Sequence, residues 1–326
     1  MKDTLISILR SPVSGQKLRL ADGTSPDPES GWLVTEDGQH RHEIRAGIPR
    51  FVPASNYADN FGMQWNHFAR TQLDSHSGHA ISAERFWGAT GWLASDMAGK
   101  WVLDIGCGAG RFAEIALSSG ANVVALDYSS AVDACLANLR QHPRLHVVQG
   151  DAFALPFSPG SFDFVYSLGV LQHTPDPQRA FASLPPMLAP GGRISVDYYE
   201  RSLGALLHPK YLLRPVTKRM PKPVLFSALE ALVPVLLPLS RMAGRVPLLG
   251  RGLQRMVPVA NDEGTLPLTP TQLREWSLLD TFDWLAPEYD NPQSEATARQ
   301  WMVQAGLAQI EVLRVGHLVA RGVKPS

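Results

Sequence analysis

Residues 102–112 read VLDIGCGAGRF, and this stretch decides the fold. A short apolar run, Trp101 to Ile105, ends in a glycine-rich turn, and a helix-like run from Arg111 to Leu117 follows at once. A strand, a glycine turn and a helix N-terminus in succession leave backbone N–H groups free beside a ligand. The sequence therefore predicts a ligand site at the carboxyl end of this strand.

The glycine spacing distinguishes two classes of ligand. A dinucleotide site has the pattern G-x-G-x-x-G/A, and its last small residue lets helix and strand pack closely. Gly106 and Gly108 fit the first two positions, but the bulky Arg111 stands at the third. The pattern present is G-x-G-x-G, completed by Gly110. With Asp104 on the preceding strand, it resembles motif I of the Rossmann-fold (class I) S-adenosylmethionine (SAM)-dependent methyltransferases.

The sequence further downstream continues this resemblance. VVALD (123–127) is a second apolar run ending in Asp127, 21 residues past Gly106. A carboxylate about 20 residues past the turn is placed to accept ribose hydroxyls. LHVVQGDAFALPF (145–157) gives a third strand, then Asp151 and Ala152, which in the family contact the adenine. SFDFVYSLGVLQH (161–173) and LPPMLAPGGRISVDYY (184–199) supply the fourth and fifth strands.

The resemblance implies an α/β fold with three layers, a Rossmann-like sheet of strand order 3-2-1-4-5-7-6, and SAM as cofactor. The residues it implies for cofactor binding are Asp104, Gly106, Gly108, Gly110, Asp127, Tyr128, Asp151, Ala152 and Leu168. Two of them have simpler alternatives. Asp127 has the position of a helix N-cap, because two serines follow it, and Asp151 has that of an ordinary turn residue.

Composition indicates a soluble globular protein in a reducing compartment. The chain has 326 residues, of which 44% are hydrophobic and 18% charged. Its two cysteines, Cys107 and Cys135, exclude a disulfide framework. Residues 1–10 have no sustained apolar core of a signal peptide. We therefore expect a cytoplasmic location.

The chain divides into three parts. Residues 1–55 resemble the small zinc-ribbon-like module that often precedes bacterial methyltransferase domains, but Ser11 and Ser14 replace its metal-binding cysteines, so we expect no metal site. Residues 56–98 form a helical cap segment, in which the candidate pocket residues are Gln64, Trp65 and His67. Residues 99–326 form the methyltransferase domain, with a helical insert at 201–285.

The insert is strongly basic and apolar. Residues 201–260 contain ten Lys or Arg and one acid, Glu230, a net charge of +9, so the remainder carries −9. VLFSALEALVPVLLPL (224–239) is 16 residues long and interrupted by Pro234 and Pro238, which predicts a buried or interfacial helical hairpin too short to span a bilayer. The insert fits a lid, a homodimer interface or a peripheral membrane contact.

His173, at the carboxyl end of the fourth strand, is the candidate catalytic base. The alternative is a histidine that braces its loop. The ubiquinone-pathway O-methyltransferases resemble this stretch but carry metal-binding glutamates where Gly169 and Gln172 stand here, which argues against metal-dependent catalysis. Tyr198 and Tyr199 either line the acceptor pocket or pack in the core.

We therefore expect a SAM-dependent methyltransferase that transfers a methyl group to oxygen or carbon of a small or lipid-like acceptor. A nucleic-acid or protein methyltransferase is the second possibility. Against nucleic acid, the fourth strand lacks the Asn/Asp-Pro-Pro-aromatic signature of amino-group methylation, and the basic segment is aliphatic rather than interleaved with aromatic residues. A non-catalytic SAM-binding regulator is the third.

Overall fold

The computed structural model describes residues 3–25, 27–53, 56–201 and 208–326. Its strands form one sheet in the order β1-β2-β3-β4-β7-β6-β5-β8-β9-β11-β10. The strands are β1 (Leu18–Leu20), β2 (Ser30–Thr35), β3 (Arg41–Arg45), β4 (Ile48–Arg50), β5 (Trp101–Ile105), β6 (Asn122–Asp127), β7 (Leu145–Gln149), β8 (Phe162–Ser167), β9 (Leu188–Tyr198), β10 (Ala308–Val315) and β11 (His317–Val323). From β7 to β10 this is the predicted order 3-2-1-4-5-7-6, which is confirmed.

Strands β5 to β9 pair in parallel, and β11 enters between β9 and β10 as an antiparallel strand. The central strands are buried along almost their whole length because both faces of the sheet are covered. The chain returns from β10 to β11 through Gly316, whose φ of 72° suits a glycine. This is the terminal hairpin that the sequence predicts.

Helices cover both faces of the sheet. They are α1 (Asp3–Ile8), α2 (Asp59–His67), α3 (Asp74–Ser77), α4 (Ile81–Thr90), α5 (Ala94–Met97), α6 (Arg111–Ser118), α7 (Ala131–Leu139), α8 (Pro177–Ala182), α9 (Pro209–Thr217), α10 (Lys222–Gly244), α11 (Gly250–Met256), α12 (Pro270–Leu285) and α13 (Glu295–Gln304). One face packs against α1, α8 and α13, through side chains such as Phe181 and Met302. The other packs against α4, α6 and α7, through side chains such as Phe86 and Ile115. The three predicted layers are present.

The N-terminal strands extend this sheet. β4 pairs in parallel with β7 at Arg50 and Gln149. The Arg50 guanidinium donates to Gln149 Oε1 at 2.7 Å and pairs with Asp133 at 2.6 Å. The predicted module is thus joined edge to edge with the larger sheet. Its boundary at residue 55 lies outside the described residues and stays a prediction.

The insert contains α9 to α12 and lies between β9 and β10, as predicted. The predicted hairpin is wrong, because α10 is one continuous helix of 23 residues that includes Pro234 and Pro238. Its buried face consists of Leu225, Leu229, Val233 and Leu237 and packs in one cluster with Phe282 and Leu285 of α12. This packing outweighs the backbone hydrogen bonds that the prolines remove. The prediction that this segment is too short to span a bilayer is also wrong, because the whole of α10 is long and apolar enough by length and composition alone.

Candidate active site

A cavity of about 940 Å³ lies where the predicted ligand edge of the sheet faces the cap segment and the insert. The turn after β5 contributes Gly106 and Gly108 to its wall, and the segment after β6 contributes Asp127 and Tyr128. Leu168 follows β8 and also lines the cavity. With Ala152, six of the nine predicted cofactor residues therefore line this cavity.

The glycine turn is tied to the neighbouring strand. The N–H groups of Gly106 and Cys107 both donate to the carbonyl of Leu126, at 2.7 and 3.0 Å. Gly106 has a φ of 78°, and a Cβ there would collide with Val170. Gly110 does not line the cavity; a Cβ there would lie 2.7 Å from Leu139, so this glycine lets α6 and α7 pack closely.

Asp127 links the turn to the start of α7. Its Oδ2 accepts from Gly108 N at 2.9 Å, and its Oδ1 accepts from Ser129 N at 2.8 Å and Ser129 Oγ at 2.7 Å. The N-cap of α7 is Ser130, so Asp127 braces the loop without being the cap. Burial raises the pKa of Asp127, and the bonds from Ser129 and Gly108 oppose that rise. A carboxylate has about four acceptor positions, which leaves roughly one for a ligand.

Two other predicted carboxylates stand outside the cavity wall. Asp104 is buried beneath the turn, and burial raises its pKa to about 8. Its Oδ2 has no hydrogen-bond partner among the described residues. Asp151 Oδ1 accepts from Phe153 N at 2.8 Å, as a turn residue does, while Ala152 beside it lines the cavity. The ligand contacts of both carboxylates remain predictions.

His173 lies in the short turn after β8, is buried, and lines the cavity. Its Nδ1 is 3.1 Å from the carbonyl oxygen of Tyr289. Because a carbonyl only accepts, the neutral imidazole that makes this bond has its proton on Nδ1 and its lone pair on Nε2. Nε2 is buried and has no partner among the described residues. In this tautomer no protein group among the described residues occupies the nitrogen that a base would use.

The segment after α12 holds the loop that carries His173. Asn291 N donates to the carbonyl of Gln172 at 2.8 Å, and Asn291 Nδ2 donates to that of Thr174 at 2.9 Å. Sequence reasoning missed Tyr289 and Asn291, which lie more than a hundred residues from their partners. No local pattern marks a backbone carbonyl as the partner of a distant histidine.

The cap segment forms another wall. Gln64 and Trp65 line the cavity as predicted, with the Trp65 indole against Gly108. Of the three candidates, His67 is the one outside: it is exposed, and its ring lies 4.7 Å from that of Phe226. Among the strand-end tyrosines, Tyr199 lines the cavity, whereas Tyr198 packs in the core.

Charged groups that sequence reasoning did not assign to the site also line the cavity. Arg111 donates to Gln72 Oε1 and Ser82 Oγ, both at 2.9 Å, and burial lowers its pKa to about 9. Arg85 pairs with Asp197 at 2.9 Å. Burial, reinforced by neighbouring carboxylates, raises the pKa of Asp280 to about 8. The cavity wall therefore combines two arginines with a carboxyl group whose pKa is raised.

Residues 103–196 match the model of the family described as "Methyltransferase domain". The chain is 35% identical over 122 residues to a ubiquinone biosynthesis O-methyltransferase of Cupriavidus pinatubonensis, covering 36% of this chain and 49% of that protein. It is 33% identical over 119 residues to a demethylmenaquinone methyltransferase of Renibacterium salmoninarum, with the same coverage. The match thus spans about half the length of these curated relatives.

Among solved structures, the chain is similar to one from the complex that contains the Haloferax volcanii Trm112 methyltransferase activator. The TM-score is 0.45 at 16% identity, over 82% of this chain and 98% of that chain. This likeness is too low to carry an argument. The family match places a methyltransferase domain at residues 103–196, and the strand order around it is that of the predicted Rossmann-like sheet.

Proposed function

We propose that this protein is a SAM-dependent methyltransferase that acts on a hydroxyl group of a small, lipid-like acceptor. The observation that carries the proposal is that one cavity is lined by the glycine turn, Asp127 and His173, and that His173 Nε2 has no hydrogen-bond partner among the described residues. The methyltransferase domain supports the same reaction class.

The residues present fit SAM at the strand-edge end. The open glycine turn leaves room for the amino acid moiety and ribose, and Asp127 keeps an acceptor position for a ribose hydroxyl. We assign the adenine to the side lined by Tyr128 and Ala152, next to Asp151. Bound there, SAM supplies an activated sulfonium methyl group.

His173 then takes the proton of the acceptor hydroxyl. Nε2 accepts the proton as the acceptor oxygen attacks, and the Tyr289 carbonyl stabilises the resulting imidazolium through Nδ1–H. Phe61 and Tyr199 pack against the imidazole, each with ring centroids 5.4 Å away, and hold its orientation. Side chains of the cap and of the insert also line the cavity.

The lipid-like acceptor is proposed from the cavity and from the names of the relatives. Large apolar rings, including Trp65, Trp276 and Trp284, line the cavity. The relatives are named for ubiquinone and menaquinone synthesis. Release of S-adenosylhomocysteine from SAM tests the proposal: a bacterial lipid extract should stimulate it. Stimulation by RNA, DNA or protein instead would favour the second function, and no turnover with any fraction would favour a regulator.

We further propose that residues 1–55 are a zinc-ribbon-like module that has lost its metal. Ser11 Oγ lies 3.1 Å from His42 Nε2, so a hydrogen bond stands at one of the cysteine positions of such modules. Stoichiometric zinc in elemental analysis of the purified protein would contradict this. We also propose a cytoplasmic location, in keeping with two buried free cysteines.

A further inference from the structure

The exposed apolar side chains of this protein are concentrated on the insert. Of the 17 large hydrophobic side chains exposed among the described residues, all but Val13, Trp32, Leu93 and Val303 lie between Leu212 and Met256. Single exposed apolar residues are normal on any surface, but a concentration of this kind marks an interaction site.

Helix α10 has two apolar faces, and α12 covers only one of them. The uncovered side chains are between 48% and 64% exposed and are Val224, Leu232, Val235, Leu239 and Met242. At 100° per residue they fall within an arc of roughly 80°. Because the neighbouring face is packed in the fold, α10 lies along the protein surface and does not cross a bilayer as an isolated span.

The loop between α10 and α11 presents an apolar tip. Leu248 is fully exposed and has a φ of 65°, and Leu249 is 66% exposed. A left-handed conformation is unfavourable for leucine. Such strain persists where the surroundings enforce it and is concentrated at functional sites. Arg245 and Arg251 flank this tip, and both are exposed.

Charge decides which partner fits this face. Lys210 and Arg214 are paired with Asp290, and Arg241 with Glu263, but Arg245 and Arg251 are exposed beside the apolar tip. A second copy of the chain in a two-fold contact would bring these arginines near their counterparts, and like charges repel. An anionic bilayer offers negative headgroups to the arginines and an apolar interior to the leucines. The bilayer therefore satisfies both properties of the face at once.

We propose that the exposed side of α10, the loop 245–249 and α11 dock on an anionic phospholipid bilayer, with Leu248 and Leu249 entering the interface. Arg255 of α11 also lines the cavity, so the docked face adjoins the cavity. The idea that the bilayer delivers a lipid-like acceptor rests on the proposed function, but docking on the bilayer does not. Vesicle binding can therefore be observed without methyl transfer, and methyl transfer without vesicle binding.

Co-sedimentation of the full chain with vesicles tests the docking. The protein should bind vesicles of phosphatidylcholine with phosphatidylglycerol, bind phosphatidylcholine alone weakly, and lose binding as salt is added. The double variant Leu248→Ser/Leu249→Ser should lose most binding, whereas Leu93→Ser, an exposed leucine elsewhere, should keep it. Arg245→Gln/Arg251→Gln should weaken binding on the order of 30-fold.

Unchanged melting temperatures will show that these surface variants are folded. Absence of wild-type binding, or equal binding to neutral vesicles, would overturn the proposal. So would a wild-type dimer in light scattering that Leu248→Ser/Leu249→Ser converts to a monomer, because a second copy would then cover the face.

Discussion

The two ends of the cavity are built differently. At the strand-edge end, Gly106, Gly108 and Asp127 lie within 22 residues of one another, and Gly108 N donates a hydrogen bond directly to Asp127. At the acceptor end, His173 depends on Tyr289, 116 residues away, and Tyr199 donates to Asp283 at 3.2 Å. The first end is specified by one local motif, whereas the second exists only once distant segments pack. Donor binding and acceptor chemistry should therefore be separable by mutation.

The largest difference between the effect on turnover and the effect on SAM affinity is expected at His173. His173→Ala should lower turnover by roughly 10²-fold or more, because general-base catalysis contributes about that much, and should leave SAM affinity nearly unchanged. Steady-state kinetics and calorimetry measure the two quantities. The matched control is His67→Ala, which removes an exposed imidazole outside the cavity. Equal activity of both variants would return His173 to a bracing role.

Asp127 should show the reverse separation. Asp127→Ala removes the acceptor for a ribose hydroxyl and leaves Gly108 N without its partner, which should weaken SAM binding by about 1–3 kcal/mol. Asp151→Ala should weaken it less, since Asp151 stands outside the cavity wall. Asp22→Ala, at a fully exposed carboxylate, is the control. If calorimetry finds both site variants binding like wild type, the donor end is misassigned.

A smaller effect is expected at Asn291, which hydrogen-bonds to the loop that contains His173. Asn291→Ala removes the hydrogen bond from Nδ2 to the Thr174 carbonyl but keeps the backbone bond to Gln172. One such bond is worth about 1 kcal/mol, so kcat should fall by roughly fivefold. SAM affinity and the pH at which the rate is half-maximal should not move, because Asn291 acts by positioning. If Asn291→Ala changed SAM affinity and left kcat unchanged, donor binding and acceptor chemistry would not be separable in the way proposed.

The last prediction concerns stability, not turnover, and tests the buried carboxyl of Asp280. Its pKa is raised to about 8 in the folded protein, whereas an unfolded aspartate titrates near 3.9. Between these two pH values the folded state binds more protons than the unfolded state. The contribution of Asp280 to the free energy of unfolding therefore falls as pH rises, by at most about 1.4 kcal/mol per pH unit. Asp280→Asn should therefore become more stable relative to wild type between pH 5 and about pH 8. Parallel stability curves for the two proteins would contradict the raised pKa.

The same contrast explains what the sequence could predict. The strand order, the terminal hairpin and the glycine turn follow from apolar runs and spacings that a single stretch contains. The continuity of α10 could not be predicted, because it depends on packing against Phe282 and Leu285, about fifty residues further on. The pairing of β4 with β7 and the tautomer of His173 are long-range in the same way.

The most direct test is a crystal structure of the protein with S-adenosylhomocysteine. The ribose should contact Asp127, the adenine should lie beside Tyr128 and Ala152, and the sulfur should face the side of the cavity that contains His173 Nε2. An acceptor analogue added to the crystals should occupy the space between the sulfur and that nitrogen. A ligand bound outside this cavity, or a sulfur turned away from His173, would contradict the assignment of donor and acceptor ends.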